Sequence, residues 1–213
     1  MIPRELFAEV IIGVGTMIGE QCTLGCPKEA RLLERSAVQG EQVEIDERCL
    51  IFNRVVVYEG VHIGRDCVIE DRVRIGYDCR IGPGTRLAYG AYLCDRVVVG
   101  SEARVAGFIC DGSIIGDRST VMGELVHEYT QPHRDWWEVD EAPPVIEDDS
   151  VVGYGARVIG GVRVGPRSYV AAGAVVTRDV PAEHVVTGVN VQTPIARWSG
   201  RRLQGLIQHW RHR

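Results

Sequence analysis

The stretch IDERCLIFNRVVVYEGVHIGRDCVIEDRVRIGYDCRI, residues 45–81, places a large aliphatic side chain at every sixth position. The same spacing extends further along the chain, to give the column Ile45, Ile51, Val57, Ile63, Ile69, Ile75, Ile81, Leu87, Leu93, Val99 and Val105. A period of six fits neither an α-helix nor an isolated hairpin. It fits short strands on the sides of a prism, in which stacked coils turn the aliphatic column inward.

The six-residue spacing also occurs before and after this central column. It occurs at Ile12, Ile18 and Leu24, resumes at Ile115 and Val121 after a shift between Phe108 and Ile114, and returns at Ile146, Val152, Val158, Val164, Val170 and Val176. Glycine often follows the aliphatic residue, where a bend between short strands tolerates few other residues. The sequence therefore predicts an all-β fold of stacked coils as one domain, residues 1–213, interrupted by a loop at 122–144.

Composition narrows the class of protein. The 213 residues are 45% hydrophobic and 25% charged, with a net charge of -5, as expected for one folded domain. The first residues, MIPRELFAEV, do not have the pattern of a secretion signal, and no apolar run is long enough for a membrane span. We therefore expect a cytoplasmic protein with no membrane partner, and the acidic charge balance argues against nucleic acid.

The seven cysteines favour a structural interpretation over a metal site. Cys49, Cys67 and Cys79 are separated by multiples of six, in a column otherwise filled by small side chains. The odd number of cysteines and the absence of a CxxC pair argue against a disulfide framework or a zinc site. Because free cysteine behaves as a small buried hydrophobe, we expect packing thiols.

The C-terminal segment RRLQGLIQHWRHR has a helical pattern. Leu203, Leu206, Ile207 and Trp210 lie at helical spacing, with arginines elsewhere around the helix. We expect a helix at about 199–213 whose apolar stripe packs on the coil or covers its end.

Residues 145–181, VIEDDSVVGYGARVIGGVRVGPRSYVAAGAVVTRDVP, resemble the closing coils of the galactoside, maltose and xenobiotic acetyltransferases. These belong to the hexapeptide-repeat acyltransferases, and the resemblance covers almost the whole chain. It implies a left-handed parallel β-helix, a homotrimer, and acetyl-CoA or another acyl-CoA as co-substrate, with no metal. It also implies transfer to a hydroxyl or amine of a small-molecule acceptor, such as a sugar, an amino sugar or an antibiotic-like compound.

The loop GELVHEYTQPHRDWWEVDEAPP, residues 123–144, interrupts the six-residue rhythm. In the galactoside-type enzymes such a loop follows a Val-His pair, matched here by Val126 and His127, and the resemblance makes His127 the general base. An imidazole titrates near neutral pH and can take the proton of an attacking hydroxyl or amine. Glu124 and Glu128 are nearby candidates to orient the ring, and a surface histidine with no role is the alternative.

The same loop carries three further candidates for the acceptor site. His133 is near His127 in sequence but has no counterpart in the family pattern. Trp136 and Trp137 offer aromatic faces that suit a sugar ring or an apolar substrate. Alternatively, the two tryptophans clamp the loop onto a neighbouring coil or subunit.

On the donor side, the resemblance places Ala172, Thr177 and Arg178 along the coenzyme groove, with Tyr154 and Gly155 in the coil above. One position departs from the family. Gln192 stands where a basic residue usually meets the coenzyme phosphates, and an amide brings no charge. We expect a weaker phosphate contact unless an arginine among 197, 201 and 202 replaces it.

Two other classes of protein remain as alternatives. A non-catalytic β-helix could serve as an assembly or scaffold subunit. A γ-type carbonic anhydrase shares the β-helix and binds a metal through three histidines, for which His62, His127 and His133 are the candidates. The spacing of these histidines and the AAGAVVTRDVP ending favour the acyltransferase.

Overall fold

The computed structural model describes residues 3–34, 40–131, 134, 141–199 and 204–211. Within these ranges the chain forms three sheets, which are the three sides of a prism, and all their strand pairs except the last pair of sheet B are parallel. Sheet A contains β1 (Val10–Ile12), β4 (Val43–Ile45), β7 (His62–Ile63), β10 (Arg80–Ile81), β13 (Val98–Val99), β16 (Ile114–Ile115), β19 (Val145–Ile146) and β22 (Arg163–Val164).

Sheet B contains β2 (Met17–Ile18), β5 (Leu50–Ile51), β8 (Val68–Ile69), β11 (Arg86–Leu87), β14 (Arg104–Val105), β17 (Thr120–Val121), β20 (Val151–Val152), β23 (Tyr169–Val170), β25 (His184–Thr187) and β26 (Val191–Pro194). Sheet C contains β3 (Thr23–Cys26), β6 (Val56–Tyr58), β9 (Arg74–Ile75), β12 (Tyr92–Leu93), β15 (Phe108–Ile109), β18 (Glu124–Val126), β21 (Arg157–Ile159) and β24 (Val175–Val176). Two helices, α1 (Glu29–Leu33) and α2 (Gln204–Arg211), and 3₁₀ turns at Arg4–Leu6 and Ile195–Arg197 complete the described elements.

From β1 to β24, successive strands visit sheets A, B and C in turn, so that each strand pairs with the strand three places later in the chain. This is the left-handed parallel β-helix that the family resemblance implies. We call the bend from sheet A to sheet B corner 1, from B to C corner 2, and from C to the next A corner 3. In one coil they are residues 64–67, 70–73 and 76–79 respectively.

The aliphatic column is the core of the prism. Every member from Ile45 to Val105 is buried, and Cys49, Cys67 and Cys79 are buried in the neighbouring column. The seven cysteines are all free thiols, and burial raises the pKa of Cys79 to about 12. The predicted packing role of the three column cysteines is therefore confirmed.

The shift in the six-residue period comes from two shortened corners. Corner 2 is reduced to Ala106–Gly107 between β14 and β15, and to Met122–Gly123 between β17 and β18. A Cβ at Gly107 would lie 2.3 Å from the carbonyl oxygen of Gly123. A Cβ at Gly123 would lie 2.3 Å from the carbonyl oxygen of Ala156. Glycine is needed at both places because the shorter bend brings successive coils into backbone contact.

Two segments leave the coil at corner 3. The first, residues 27–42, was not anticipated by the repeat pattern. It contains α1, whose Arg31 forms an ion pair with Glu59, which is 1% exposed, while Lys28 binds Asp78 at 2.8 Å. The second begins after Val126, later than the predicted start at 122, because residues 124–126 form β18 between β15 and β21.

At the C-terminal end of the prism, sheet B gains an antiparallel strand and a packed helix. The strand β26 turns back antiparallel to β25, and α2 packs Ile207 against Val185 beside Trp198. This confirms an amphipathic C-terminal helix over residues 204–211, whereas 200–203 and 212–213 lie outside the described residues. None of the helices in the described ranges has the length and hydrophobicity needed to cross a membrane.

Candidate active site

His127 stands at corner 3, immediately after β18. The N–H of Gly160 donates to the carbonyl of Val126 at 2.9 Å, which holds the next coil against the end of that strand. The imidazole of His127 is half-buried, and its Nδ1 is buried without a hydrogen-bond partner among the described residues. Tyr129 meets the ring edge-on, with the ring centroids 6.2 Å apart.

Neither Glu124 nor Glu128 hydrogen-bonds to His127 Nδ1. The carboxylate of Glu124 instead accepts a hydrogen bond from Arg157 at 2.9 Å. The side chain of Glu128 lies over Gly160, where a Cβ would approach it at 3.5 Å. Of the two carboxylates that the sequence placed near His127, Glu124 therefore binds the next coil and Glu128 lies beside it.

We call the two segments that leave corner 3 the first and second excursions. Glu141 joins the two ends of the second excursion, which begins after Val126. Its carboxylate accepts hydrogen bonds from the backbone N–H groups of Tyr129, at 2.8 Å, and Thr130, at 2.6 Å, and from the Thr130 hydroxyl at 2.9 Å. The three acceptor candidates of this loop, His133, Trp136 and Trp137, lie outside the described residues. The structure thus describes how the loop leaves and rejoins the coil.

Acidic and aromatic groups line corner 3 in the coils before His127. Desolvation, followed by the charge of Asp111, raises the pKa of Asp95 to about 6. Desolvation also raises the pKa of Tyr129, and the nearby Cys110 and Cys94 add to this effect. The hydroxyl of Tyr129 is therefore a neutral hydrogen-bond donor at physiological pH.

The coenzyme candidates Tyr154, Gly155 and Ala172 lie together at corner 2. The side chain of Tyr154 is 79% exposed, and its carbonyl accepts a hydrogen bond from the N–H of Gly173 at 3.0 Å. Gly155 and Gly173 both have positive φ, and no atom lies within 4 Å of a Cβ built at either position. Successive bends here present open backbone, which a narrow ligand can approach closely.

Thr177 and Arg178 follow β24 at corner 3, two coils beyond His127. Asn190 brackets Thr177, since its Oδ1 accepts from the Thr177 N–H and its Nδ2 donates to the Thr177 hydroxyl, both at 2.8 Å. The side-chain amide of Gln192 donates to the carbonyl of Asp179 at 2.9 Å. Gln192 is thus held against the backbone of the same corner.

The candidate residues therefore fall into two groups within one chain. His127, Thr177 and Arg178 share corner 3, whereas Tyr154, Gly155 and Ala172 share corner 2. Sheet C separates the two groups by about 15 Å of extended chain. A coenzyme on corner 2 and a base on corner 3 of the same chain would face different edges of the prism.

The histidines proposed for a metal are also distributed over the molecule. His62 lies on sheet A, with its Nε2 3.6 Å from Asp46 Oδ1, and His133 lies outside the described residues. Over the ranges that the structure covers, no group of three or more His, Cys, Asp or Glu side chains has the arrangement of a metal site.

Two residues of this region were missed from the sequence, Tyr129 and Glu141. Tyr129 is only two residues beyond His127, but its ring direction depends on a positive φ of 55°. Glu141 is distant in sequence and reaches the backbone of Tyr129 only because the loop returns to its starting point. Its place just before Ala142 and Pro143, where the coil resumes, is the only sequence signal for this role.

The chain matches two models of known repeat families. Residues 143–178 match the bacterial transferase hexapeptide, described as six repeats, and residues 42–70 match the hexapeptide repeat of succinyl-transferase. The first match includes Tyr154, Gly155, Ala172, Thr177 and Arg178, whereas neither match includes His127.

A curated relative and a solved structure add to these matches. A 2,3,4,5-tetrahydropyridine-2,6-dicarboxylate N-acetyltransferase of Staphylococcus aureus is 55% identical over 47 residues, which are 22% of this chain and 20% of the relative. The chain thus matches about a fifth of that relative's length. The structure of an Arabidopsis UDP-N-acetylglucosamine acyltransferase aligns with a TM-score of 0.51 and 16% identity, covering 94% of this chain and 73% of that one. That likeness concerns the fold.

Proposed function

The chain is a hexapeptide-repeat protein, and from this premise we propose that it is an acyl-CoA-dependent acyltransferase. The proposed reaction moves an acetyl group from acetyl-CoA to a hydroxyl or amine of a small polar acceptor, such as a sugar, an amino sugar or an antibiotic-like compound. The similarity of one segment to an N-acetyltransferase supports acetyl transfer and makes amines the first acceptors to test.

The observation that carries the proposal is the position of His127. The histidine stands at the root of an extruded loop, its Nδ1 is enclosed by protein, and the ring is held edge-on to Tyr129. With Nδ1 enclosed, Nε2 is the nitrogen that can accept a proton from a bound substrate. A positioned imidazole of this kind typically contributes a factor of about 10² to 10⁴ to the rate of proton-coupled attack.

The chemistry is direct transfer within a ternary complex. His127 removes the proton as the acceptor oxygen or nitrogen attacks the thioester carbonyl, and a carbon–oxygen or carbon–nitrogen bond forms. A backbone N–H group stabilises the resulting oxyanion. The carbon–sulfur bond then breaks, and the proton held by His127 passes to the departing thiolate.

The open backbone at corner 2 supports a place for the donor. The pantetheine arm of the coenzyme is thin and carries amides, which suits the exposed bends at Gly155 and Gly173 beside Tyr154 and Ala172. Thr177 and Arg178 contribute from corner 3. Gln192 is uncharged, and its amide is bound to the Asp179 carbonyl. A charged phosphate contact therefore has to come from another residue, and the exposed Arg197 is the candidate within the described residues.

The separation of the two corners supports a homotrimer. Corner 2 of one chain and corner 3 of a neighbour can face each other across a subunit contact, so that each site combines both groups. In this arrangement an isolated chain holds an incomplete site and is inactive.

The first test is titration calorimetry of acetyl-CoA, with coenzyme A as a second ligand. Saturable binding at one site per chain, followed by acetyl transfer in an acceptor screen, is the expected result. His127→Ala should keep coenzyme binding and lower kcat by a factor of about 10² or more, because it removes the base but leaves corner 2 intact. Absence of binding at millimolar coenzyme would reject the donor site and favour a scaffold.

A further inference from the structure

The two ends of the second excursion are joined by one carboxylate. Glu141, on the returning segment, accepts three hydrogen bonds from Tyr129 and Thr130 on the outgoing segment, at 2.6–2.9 Å. Hydrogen bonds to an ionised carboxylate are shorter and stronger than those between neutral groups. This three-point contact, which we call the Glu141 clasp, fixes the backbone two residues beyond His127.

The returning segment that carries Glu141 is itself anchored on corner 3. Ala142 lies against Gly161, where an added Cβ would come within 2.7 Å of the Ala142 Cβ. Pro143 lies over Gly112, whose built Cβ would be 3.5 Å from Pro143 Cγ. Glycines on two coils thus provide the space in which the returning chain lies. Glu141 is therefore presented to Tyr129 from a fixed base.

The clasp holds Tyr129 in a backbone conformation that tyrosine rarely adopts. Its φ is 55°, in the left-handed region, and this conformation costs about 1–2 kcal/mol for a residue with a Cβ. Hydrogen bonds to Glu141 from the amides of Tyr129 and Thr130 offset that cost. In this conformation the Tyr129 ring lies edge-on to His127, at an interplanar angle of 82°.

The carboxylate and the imidazole also interact electrostatically. Desolvation raises the pKa of Glu141, but hydrogen bonds from Tyr129 and Thr130 and the charge of His127 outweigh it and leave that pKa below its usual value. Glu141 is therefore ionised at neutral pH, which strengthens the hydrogen bonds that it accepts from Tyr129 and Thr130.

We propose that Glu141 is the positioning residue of His127, acting through the Tyr129–Thr130 backbone to fix the ring. The catalytic part of this inference rests on the acyltransferase proposed above. The positional part concerns the folded chain alone and can be measured without any substrate.

The experiment compares wild type with Glu141→Gln and Glu141→Asp. The ring signals of His127 are followed by NMR of histidine-labelled protein and assigned by their loss in His127→Ala. Tyr129, which meets the ring edge-on, Glu128, next in the chain, and Asp111, at the equivalent position one coil earlier, are unchanged in both variants. A change in the ring signals therefore reports the contribution of Glu141.

Glu70→Gln is the matched control. The carboxylate of Glu70 also accepts a hydrogen bond from a tyrosine N–H, that of Tyr89 at 2.9 Å, and it binds Arg86. It lies at corner 2 in an earlier coil, away from His127. Glu70→Gln therefore alters a comparable carboxylate contact in the same fold, away from His127.

We expect Glu141→Gln to shift the NMR signals of the His127 ring and to lower kcat by about 10-fold or more, with the acceptor KM and coenzyme binding little changed. Glu141→Asp should restore part of both, and Glu70→Gln should leave both as in wild type. Unchanged ring signals of His127 in folded Glu141→Gln would overturn the inference. If wild type neither binds coenzyme nor transfers acetyl, the proposed function fails, and the NMR comparison alone decides whether Glu141 positions His127.

Discussion

Contact between neighbouring coils requires glycine at two positions, Gly107 and Gly123. Each lies in a shortened corner 2, where the next coil presents a carbonyl oxygen at 2.3 Å from a built Cβ. Gly107 has a φ of 92°, so conformation and space both exclude a side chain there. The φ of Gly123 is not positive, and its requirement is steric alone. Gly90 is the reverse case, with a φ of 67° and no atom within 4 Å of its Cβ position.

These differences predict an order of stabilities. Gly123→Ala should lower the free energy of unfolding by about 3 kcal/mol, because a backbone carbonyl cannot move away from the new methyl group. Gly90→Ala should lower the free energy of unfolding by only about 1 kcal/mol, because an alanine there has to adopt the left-handed conformation but clashes with no neighbouring atom. Urea denaturation followed by circular dichroism measures both. Equal losses in the two variants would contradict the steric explanation.

Asp95 makes a pH-dependent contribution to stability. Its folded-state pKa of about 6 lies above the ordinary value of 3.8, because desolvation and Asp111 disfavour the carboxylate. The protonated form therefore stabilises the fold below about pH 4, and this contribution is lost as the pH rises through 6. Asp95→Asn should be more stable than wild type at pH 7.5, by about 1 kcal/mol after solvent screening, and similar to it at pH 4.

Urea unfolding at the two pH values checks this expectation. Asp66→Asn is the control, because a hydrogen bond from Arg48 lowers the pKa of that exposed carboxyl. Asp66→Asn should give no gain in stability at pH 7.5. A stability difference between Asp95→Asn and wild type that stays constant with pH would reject the role of ionisation.

At the scale of the elements, α1 is held to the prism by charge. The helix has five residues and no buried side chain, which is too short for stability by itself. Arg31 reaches the buried Glu59 after β6, and Lys28 binds Asp78 after β9 while lying 4.8 Å from the Tyr77 ring centroid. The first excursion is therefore fastened to two coils of corner 3 by its cations.

Loss of one partner of the buried pair should destabilise the protein strongly. Arg31→Ala leaves the Glu59 carboxylate buried without this cation, and we expect a loss of about 3 kcal/mol in the free energy of unfolding. The double variant Arg31→Met with Glu59→Gln should recover most of that loss, because no buried charge remains. Asp66→Asn, which removes one charge from an exposed pair with Arg48, should change stability little. Equal unfolding midpoints for the single and double variants of the buried pair would argue against an uncompensated charge.

At the scale of the whole molecule, the prism separates two sets of candidate residues. Corner 2 carries Tyr154, Gly155 and Ala172, and corner 3 carries His127 with Thr177 and Arg178. Since the parallel coils cannot rotate relative to one another without breaking their ladders, the separation is fixed within a chain. Under the proposed function, a complete site therefore combines corners from two chains.

Mixed oligomers test this arrangement. His127→Ala and Gly173→Trp, which fills the open bend at corner 2, should each be inactive alone. After unfolding and refolding together, the mixture should regain activity, because some contacts pair an intact corner 2 with an intact His127. Analytical ultracentrifugation should give three times the chain mass of 23.5 kDa. No recovery in mixed trimers would place both groups of one site on the same chain.

Much of the candidate coenzyme site could be recognised from the sequence, but its neighbours could not. The ending that contains Ala172 and Thr177 follows the repeat, so its position on the coils could be counted. Gln192 could be identified as a departure, but its bond to the Asp179 carbonyl depends on the antiparallel turn of β26. For His127, the sequence indicated the residue and the structure supplied its surroundings.

The sequence by itself determined the coil, because a parallel β-helix repeats one local rule. Each strand pairs in register with the next coil, so burial recurs every six residues and can be read from Ile45 to Val105 without knowledge of distant contacts. Only the tertiary structure decided where the chain leaves the coil and what holds it there. The clasp of Glu141 on Tyr129 and the ion pair of Arg31 with Glu59 join residues brought together by the return of a loop, and no local period specifies such a path.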